Sequence, residues 1–236
     1  MHIDAALTPA DIALLPQRDL TDTTCVVFDV LRATSSMITG LASGATEIHP
    51  VCTIDEARAL KLQLPDAVLG GERQGDLIPG FDVGNSPSEY TALAGRRIIT
   101  TTTNGTVALR ACEGAERVLV AAILNLGAVA AALRTLEPKN VLLVCAGTFE
   151  TFALEDGYAA GLLIAELGDV TTTDAARTLE RLAVSYPDPL SALRAARNGQ
   201  ALAASGRAAD VEWCAQRSWY KVVGQMTAAV IRPLPQ

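Results

Sequence analysis

Val141-Leu-Leu-Val-Cys145 contains no polar residue and runs directly into Ala146-Gly147-Thr148. A short, unbroken apolar run of this kind is what a strand buried on both faces needs, and such strands occur where helices cover both sides of a mostly parallel sheet. Working outward, comparable runs lie at Cys25–Leu31, Glu47–Cys52, Val68–Gly71, Arg97–Thr102 and Val118–Ala122, and the opening run extends to Ala146. Most are followed by an Ala-rich segment with helical spacing, so the alternation predicts an α/β fold built on βαβ units. After about Gly168 the strand signal fades. Thr171–Ser185 and Pro189–Ser205 read as helices, a mixed segment covers Asp210–Ile231, and the C-terminal portion is expected to be helical. With no repeat, linker or composition break, residues 1–236 are expected to form a single domain. Thr53-Ile-Asp-Glu56 and Ser86-Pro-Ser-Glu89 are capping boxes that mark helix starts. Gly44 and Gly114 are expected helix stops.

Composition narrows the function classes. Half of the 236 residues are apolar and 19% are charged, which suits a globular protein with a large core that needs no disulfide or structural metal. A net charge of −7 argues against nucleic-acid binding, which draws its affinity from basic side chains that displace counterions from phosphates. The longest apolar stretch, Ala121–Leu133, is interrupted by Asn125 and too short to span a bilayer. Met1–Pro16 has no basic segment followed by an apolar one, so a cytoplasmic protein is expected. Five cysteines without CxxC spacing read as reduced, mostly buried thiols. The two histidines, His2 and His49, leave little room for histidine metal sites or Ser-His triads. A homo-oligomer is left open.

In open α/β sheets ligands bind beyond the carboxyl ends of the strands, so those ends are read first. The first gives Asp29-Val-Leu-Arg32-Ala-Thr34-Ser35. Asp29 interrupts an apolar run, and a carboxylate there needs either a partner or a catalytic task. A salt bridge to Arg32 is the structural alternative for Asp29, and helix capping is the alternative for Thr34 and Ser35. A second end gives Thr100-Thr-Thr-Thr103-Asn104-Gly105-Thr106, hydroxyls and a glycine at a helix start, which suits an anion. The long connection Gly70–Pro87 carries Glu72 and Asp82 as possible cation ligands, Arg73 and Asn85 as anion ligands, and the capping Ser86. The last end carries Gly147, followed by Glu155-Asp156. Adjacent carboxylates on a helix diverge by roughly 100°, so Asp156 is assigned to the site and Glu155 to its support.

Asp29, Glu72 and Asp156 are thus expected to supply oxygens for Mg²⁺, the metal suited to carboxylates without histidine or thiolate ligands. Phosphoryl chemistry on a small anionic substrate follows. Other phosphate chemistries fit less well. Cys52 and Arg58 have the formal spacing of a cysteine phosphatase, but two carboxylates lie between them. After Asp29, Leu31 and Ala33 stand where a haloacid-dehalogenase-type phosphatase would have its second Asp and its Thr or Val. The lysine phosphate loop and the GxGxxG fingerprint are absent.

Five segments in order, Asp29–Ser35, Gly71-Glu-Arg73, Gly80–Pro87 with Glu89-Tyr90, Thr101–Thr106, and Cys145–Thr148 with Glu155-Asp156, resemble the 2-phosphosulfolactate phosphatase family. The resemblance covers about Asp22 to Gly161, and Asp210–Gln216 is similar to the family's C-terminal signature. Gln74 stands where the family usually has a glycine. The resemblance implies a Mg²⁺-dependent hydrolase converting 2-phospho-3-sulfolactate to 3-sulfolactate and phosphate, in coenzyme M biosynthesis or related sulfonate metabolism. On residue type, the substrate-binding set is Arg32, Thr34, Ser35, Arg73, Asn85, Ser86, Thr103, Asn104, Gly105, Thr106 and Gly147, with Arg32 and Arg73 as anion clamps. The alternatives are a phosphatase of another small 2-phosphorylated acid and a catalytically silent anion-binding protein.

Overall fold

The computed structural model describes Met1–Pro235. Its strands are β1 (His2–Ala6), β2 (Thr23–Phe28), β3 (Glu47–Pro50), β4 (Val68–Arg73), β5 (Asp76–Leu77), β6 (Arg97–Thr101), β7 (Arg117–Ala121), β8 (Asn140–Cys145), β9 (Thr171–Thr172), β10 (Gly224–Thr227) and β11 (Val230–Pro233). The helices are α1 (Pro9–Ala13), α2 (Ala33–Ala42), α3 (Ile54–Gln63), α4 (Gly105–Ala111), α5 (Leu126–Leu136), α6 (Leu154–Leu167), α7 (Asp174–Ala183), α8 (Pro189–Ala195), α9 (Arg197–Ala204) and α10 (Ala208–Cys214). One mixed sheet takes the order β5-β4-β6-β3-β11-β10-β7-β2-β8-β1-β9.

This ladder consists of two parallel halves, β4-β6-β3 and β7-β2-β8-β1-β9. The antiparallel hairpin β10–β11 joins them, pairing with β7 on one side and, through Ile231 opposite Ile48, with β3 on the other. Across this seam the halves run in opposite directions. Neighbouring strands twist by about 20–25°, so the five steps from β6 to β2 turn the axes by roughly 100–125°. That rotation accounts for how the carboxyl ends of both halves come round to one cleft.

All six residues of β2 are buried, and its pleat divides them between two cores. Val26 and Phe28 face the core closed by Leu133 of α5, Leu163 of α6 and Leu179 of α7. Cys25 and Val27 face the one closed by Ile12 of α1, Met37 and Ile38 of α2 and Leu109 of α4. Helices therefore cover both faces, as the sequence predicts, and each fully buried aliphatic side chain contributes about 1.5–3 kcal/mol. Among the described residues no helix is long and apolar enough to cross a membrane. All five cysteines are free, and only Cys52 is not fully buried.

Several expectations need correction. β2 stops at Phe28 rather than Leu31, because the Asp29 N–H turns to Thr34 Oγ1 (3.1 Å) and its carbonyl accepts from the Thr34 N–H (2.9 Å). The expected helix Thr171–Ser185 begins only at Asp174, since Thr171–Thr172 pairs with β1. Pro189–Ser205 is two helices, broken at Ala196, whose backbone is extended. The Ser86 capping box opens a 3-10 turn, Pro87–Ala92, rather than an α-helix. The Thr53 box holds, with Thr53 Oγ1 accepting from the Glu56 N–H at 3.0 Å. Gly44 follows the Ser43 cap of α2, whereas Gly114 lies three residues beyond α4.

The seam hairpin turns at Ala228-Ala229, both left-handed (φ 49° and 59°). Two-residue hairpin turns of this type favour Asn-Gly, and alanine in the left-handed region costs roughly 1–2 kcal/mol per residue. Replacing Ala228→Asn together with Ala229→Gly should stabilise the protein by about 1–2 kcal/mol. Urea unfolding would show this as a higher midpoint at unchanged slope, and an equal or lower midpoint would contradict it.

Candidate active site

The loops after β2, β4, β6 and β8 meet α9 and the corner before α10 around a cleft of about 390 Å³. Of the expected residues, Asp29, Arg32, Glu72, Asn85, Thr103, Asn104 and Gly147 line it. Asp29 sits one residue beyond β2, with Oδ1 accepting from the Ala33 N–H at 3.0 Å. The start of α4 approaches its other oxygen so closely that a Cβ on Gly105 would stand 2.5 Å from Oδ2, so only glycine fits there. Burial pushes the Asp29 carboxyl up to about 7, reinforced by the charges of Glu72 and Glu155 and opposed by the amides of Ala33 and Gly105.

Glu72 is buried, and its two oxygens hold two loops. Oε1 accepts from the Thr103 N–H (2.8 Å) and Oε2 from the Gly75 N–H (2.7 Å). Asn104 braces the loop after β8, its Nδ2 donating to the carbonyls of Ala146 (3.2 Å) and Phe149 (3.0 Å) and its Oδ1 accepting from the Phe149 N–H (3.0 Å). Arg32 donates to Asp210 Oδ2 (2.6 Å) and the Gly75 carbonyl (3.1 Å). Asp29 therefore forms no ion pair with Arg32, contrary to the structural alternative considered for it. Thr103 Oγ1 is buried without a hydrogen-bond partner among the described residues, an orphan that a ligand oxygen would satisfy.

Other expected site residues serve the scaffold. Thr34 Oγ1 donates to the Asp29 carbonyl (2.9 Å) and Ser35 Oγ to that of Val30 (2.7 Å), closing the turn beneath the site. Arg73 is turned away, because adjacent strand residues face opposite ways and Glu72 takes the cleft side. Its guanidinium binds the carbonyls of Glu72 and Cys52 and Thr101 Oγ1 instead. Ser86 Oγ donates to Asp210 Oδ1 (2.6 Å). Thr106 exchanges hydrogen bonds with Thr102 and is fully buried. Asp82 is exposed and accepts from the Leu69 N–H.

Asp156 is likewise a clamp. Its Oδ1 accepts from the Val30 N–H (2.8 Å) and its Oδ2 from the Gly147 N–H (3.0 Å), fastening the loops after β2 and β8. Burial raises its carboxyl well above the ordinary range, helped by Glu155 and Asp29. Glu155 accepts from Asn198 Nδ2 (2.6 Å). Among the described residues no three His, Cys, Asp or Glu side chains group as a metal site, so the expected set of Asp29, Glu72 and Asp156 is not assembled. Asp29 and Glu72 remain on the cleft, and Mg²⁺ commonly takes only one or two protein carboxylates beside water and phosphate oxygens. The donor chemistry of that pair fits the ion.

Sequence reasoning missed the wall made by the C-terminal helices, with Asn198, Leu202, Ser205 and Arg207, and the lip residue Phe149. The helical residues sit at no strand end, so that signal could not find them, and Phe149, in the loop after β8, has no ligand chemistry to single it out. Gln74 and Gly75, also on the cleft, are both left-handed (φ 56° and 86°), which is why a glycine suits position 74. Because Asp156 serves two amides at once, Asp156→Asn must present an N–H₂ to one of them. The expected cost is about 1–3 kcal/mol, read as a lower urea midpoint, and unchanged stability would remove the clamp.

A family model described as 2-phosphosulpholactate phosphatase matches residues 10–229. A Deinococcus radiodurans protein named probable 2-phosphosulfolactate phosphatase is 41% identical over 218 residues, 90% of each chain. A Carboxydothermus hydrogenoformans protein of that name is also 41% identical over 218 residues, 90% of this chain and 91% of its own. One from Clostridium acetobutylicum is 36% identical over 234 residues, 96% of this chain and 98% of its own. With its strand-end loops gathered around one cleft and a family match running through nearly all of it, this chain belongs to the 2-phosphosulfolactate phosphatase family, whose members are phosphoric monoester hydrolases.

Proposed function

We propose that the protein is a Mg²⁺-dependent phosphatase that hydrolyses 2-phospho-3-sulfolactate to 3-sulfolactate and phosphate. The observation that carries this reading is the pair Asp29 and Glu72 on a cleft that must accept a phosphate. A phosphate dianion is repelled by two carboxylates unless a cation lies with them. Asp29 and Glu72 would hold the Mg²⁺, which when bound supplies charge to offset that building on the phosphoryl oxygens. Arg32, with its geometry fixed by Asp210, keeps guanidinium donors for an anionic oxygen. The Thr103 hydroxyl and the Asn85 side chain offer neutral donors. In the net reaction a water oxygen bonds to phosphorus as the bond to the C2 oxygen breaks. One water proton ends on the sulfolactate hydroxyl and the other stays with phosphate.

The sulfonate substrate is supported by the names of the relatives, and coenzyme M biosynthesis or related sulfonate metabolism goes with it. The free cysteines favour a reducing compartment such as the cytoplasm.

Phosphate release from 2-phospho-3-sulfolactate, 2-phosphoglycolate and phospholactate tests substrate and metal together. The expected kcat/KM preference for the sulfonate is at least about a hundredfold, worth ~2.7 kcal/mol. A chelator should abolish release and Mg²⁺ restore it. Comparable turnover of all three esters would replace the sulfonate assignment with a broader one, and full activity in chelator would remove the metal.

Asp29→Asn should lower kcat by about a thousandfold or more and also abolish the Mg²⁺-induced rise in melting temperature. The amide oxygen still accepts from the Ala33 N–H, while the N–H₂ faces the Gly105 amide at a cost of about 1–3 kcal/mol, so a folded but less stable protein is expected. An active variant that Mg²⁺ still stabilises would take Asp29 out of the site.

A further inference from the structure

Two cations, Arg32 and Arg207, line the cleft among the described residues, and they differ in what they are free to do. The Arg32 side chain is 5% exposed and paired with Asp210, itself 11% exposed, at 2.6 Å. Its charge is already answered inside the protein. Arg207 is paired with Asp76 at 2.8 Å, but its side chain is 35% exposed and that of Asp76 is 78% exposed. An exposed ion pair contributes little net stability, so Arg207 can exchange Asp76 for a stronger anion at little cost.

Its position suits that exchange. A Cβ on Gly75 would stand 3.9 Å from Arg207 Nη1, which places the guanidinium over the Gln74–Gly75 turn. Gly75 is also the residue whose N–H is held by Glu72 and whose carbonyl is held by Arg32. Arg207 therefore stands one turn away from the carboxylate assigned to the phosphate end. Its backbone is anchored, with its N–H donating to the Leu202 carbonyl (2.8 Å) and its carbonyl accepting from the Asp210 N–H (3.0 Å). The start of α10 thus sets both guanidinium groups, Arg207 directly and Arg32 through Asp210.

Resting on the phosphatase reading above, we infer that Arg207 binds the second anionic group of the substrate, a sulfonate or carboxylate beside the phosphoryl ester, and so selects polyanionic esters over simple ones. Planar guanidinium donors match the oxygens of such groups. Asp76 keeps the arginine extended across the cleft mouth until the substrate displaces it.

Steady-state kinetics on 2-phospho-3-sulfolactate and on ethyl phosphate, which has no second anion, test this. In Arg207→Gln the ratio of the two kcat/KM values should fall at least about thirtyfold, mainly through KM for the sulfonate. Asp76→Asn, which frees the arginine and removes a repelling charge, should lower that KM at least about twofold and supplies the test should Arg207→Gln fail to fold. An unchanged ratio in a folded Arg207→Gln protein, or an unchanged or raised KM in Asp76→Asn, overturns the assignment while leaving the phosphatase reading intact. Failure of the unaltered protein to hydrolyse either ester overturns both.

Discussion

Backbone amides that leave a buried strand end must find acceptors, and the way this protein satisfies them builds the cleft. Asp156 takes the Val30 and Gly147 N–H groups and joins the loops after β2 and β8. Asn104 joins the loop after β8 to the one after β6, Glu72 joins that loop to the turn after β4, and Arg32 returns from the turn to the loop after β2. The tethers close into a ring. Each buried group left unmatched would cost about 1–3 kcal/mol, so no single loop can shift without penalty to its neighbours. The two half-sheets, whose strand ladders among the described residues are joined through the C-terminal hairpin, are thereby tied together again at their functional ends.

The ring also determines the charge of the site. Because carboxylates serve as the amide acceptors, an acidic protein arrives at an acidic cleft, with Asp29, Glu72 and Asp76 on its wall against Arg32 and Arg207. Asp210 also offsets one of the two arginines, so the cleft keeps a negative balance against which a phosphorylated acid would have to bind. On the metal reading proposed above, a divalent cation would lie with Asp29 and Glu72, the two carboxylates on the cleft beside the ring. Under that proposal Glu72, which holds two loops, would serve the metal as well.

The parts legible in the sequence were those carried by local pattern. The buried strands β2, β6, β7 and β8 announce themselves as apolar runs, and the Thr53 box marks the start of α3. Strand-end reading also reached Asp29, Glu72, Thr103 and Asn104, because a parallel sheet places such residues at its carboxyl edge. What escaped has a physical reason in each case. His2-Ile-Asp-Ala-Ala6 alternates too weakly to read as a strand, yet β8 offers it a complete parallel partner. The β10–β11 turn lacks glycine and asparagine, and α9 brings Asn198 to the cleft from a surface helix with no strand-end signature. Residue type alone also cannot separate a ligand from a brace. Asp156, Arg73 and Thr106 have the chemistry of ligands, and their hydrogen bonds turn out to be spent on the scaffold.

The choice of partner for Arg32 shows why that distinction matters for function. Local reading pairs it with Asp29, three residues away, which would neutralise the carboxylate and make the turn self-contained. The fold instead brings Asp210 from α10 to Arg32, with Ser86 donating to the second oxygen of the same carboxylate. Among the described residues Asp29 is left with amides as its fixed partners and acids as its charged neighbours, and its carboxyl rises to about 7. A carboxylate so placed gains more from a bound cation than one already paired with arginine. The long-range ion pair is thus what leaves the strand-end aspartate without an arginine partner, as the proposed metal role requires.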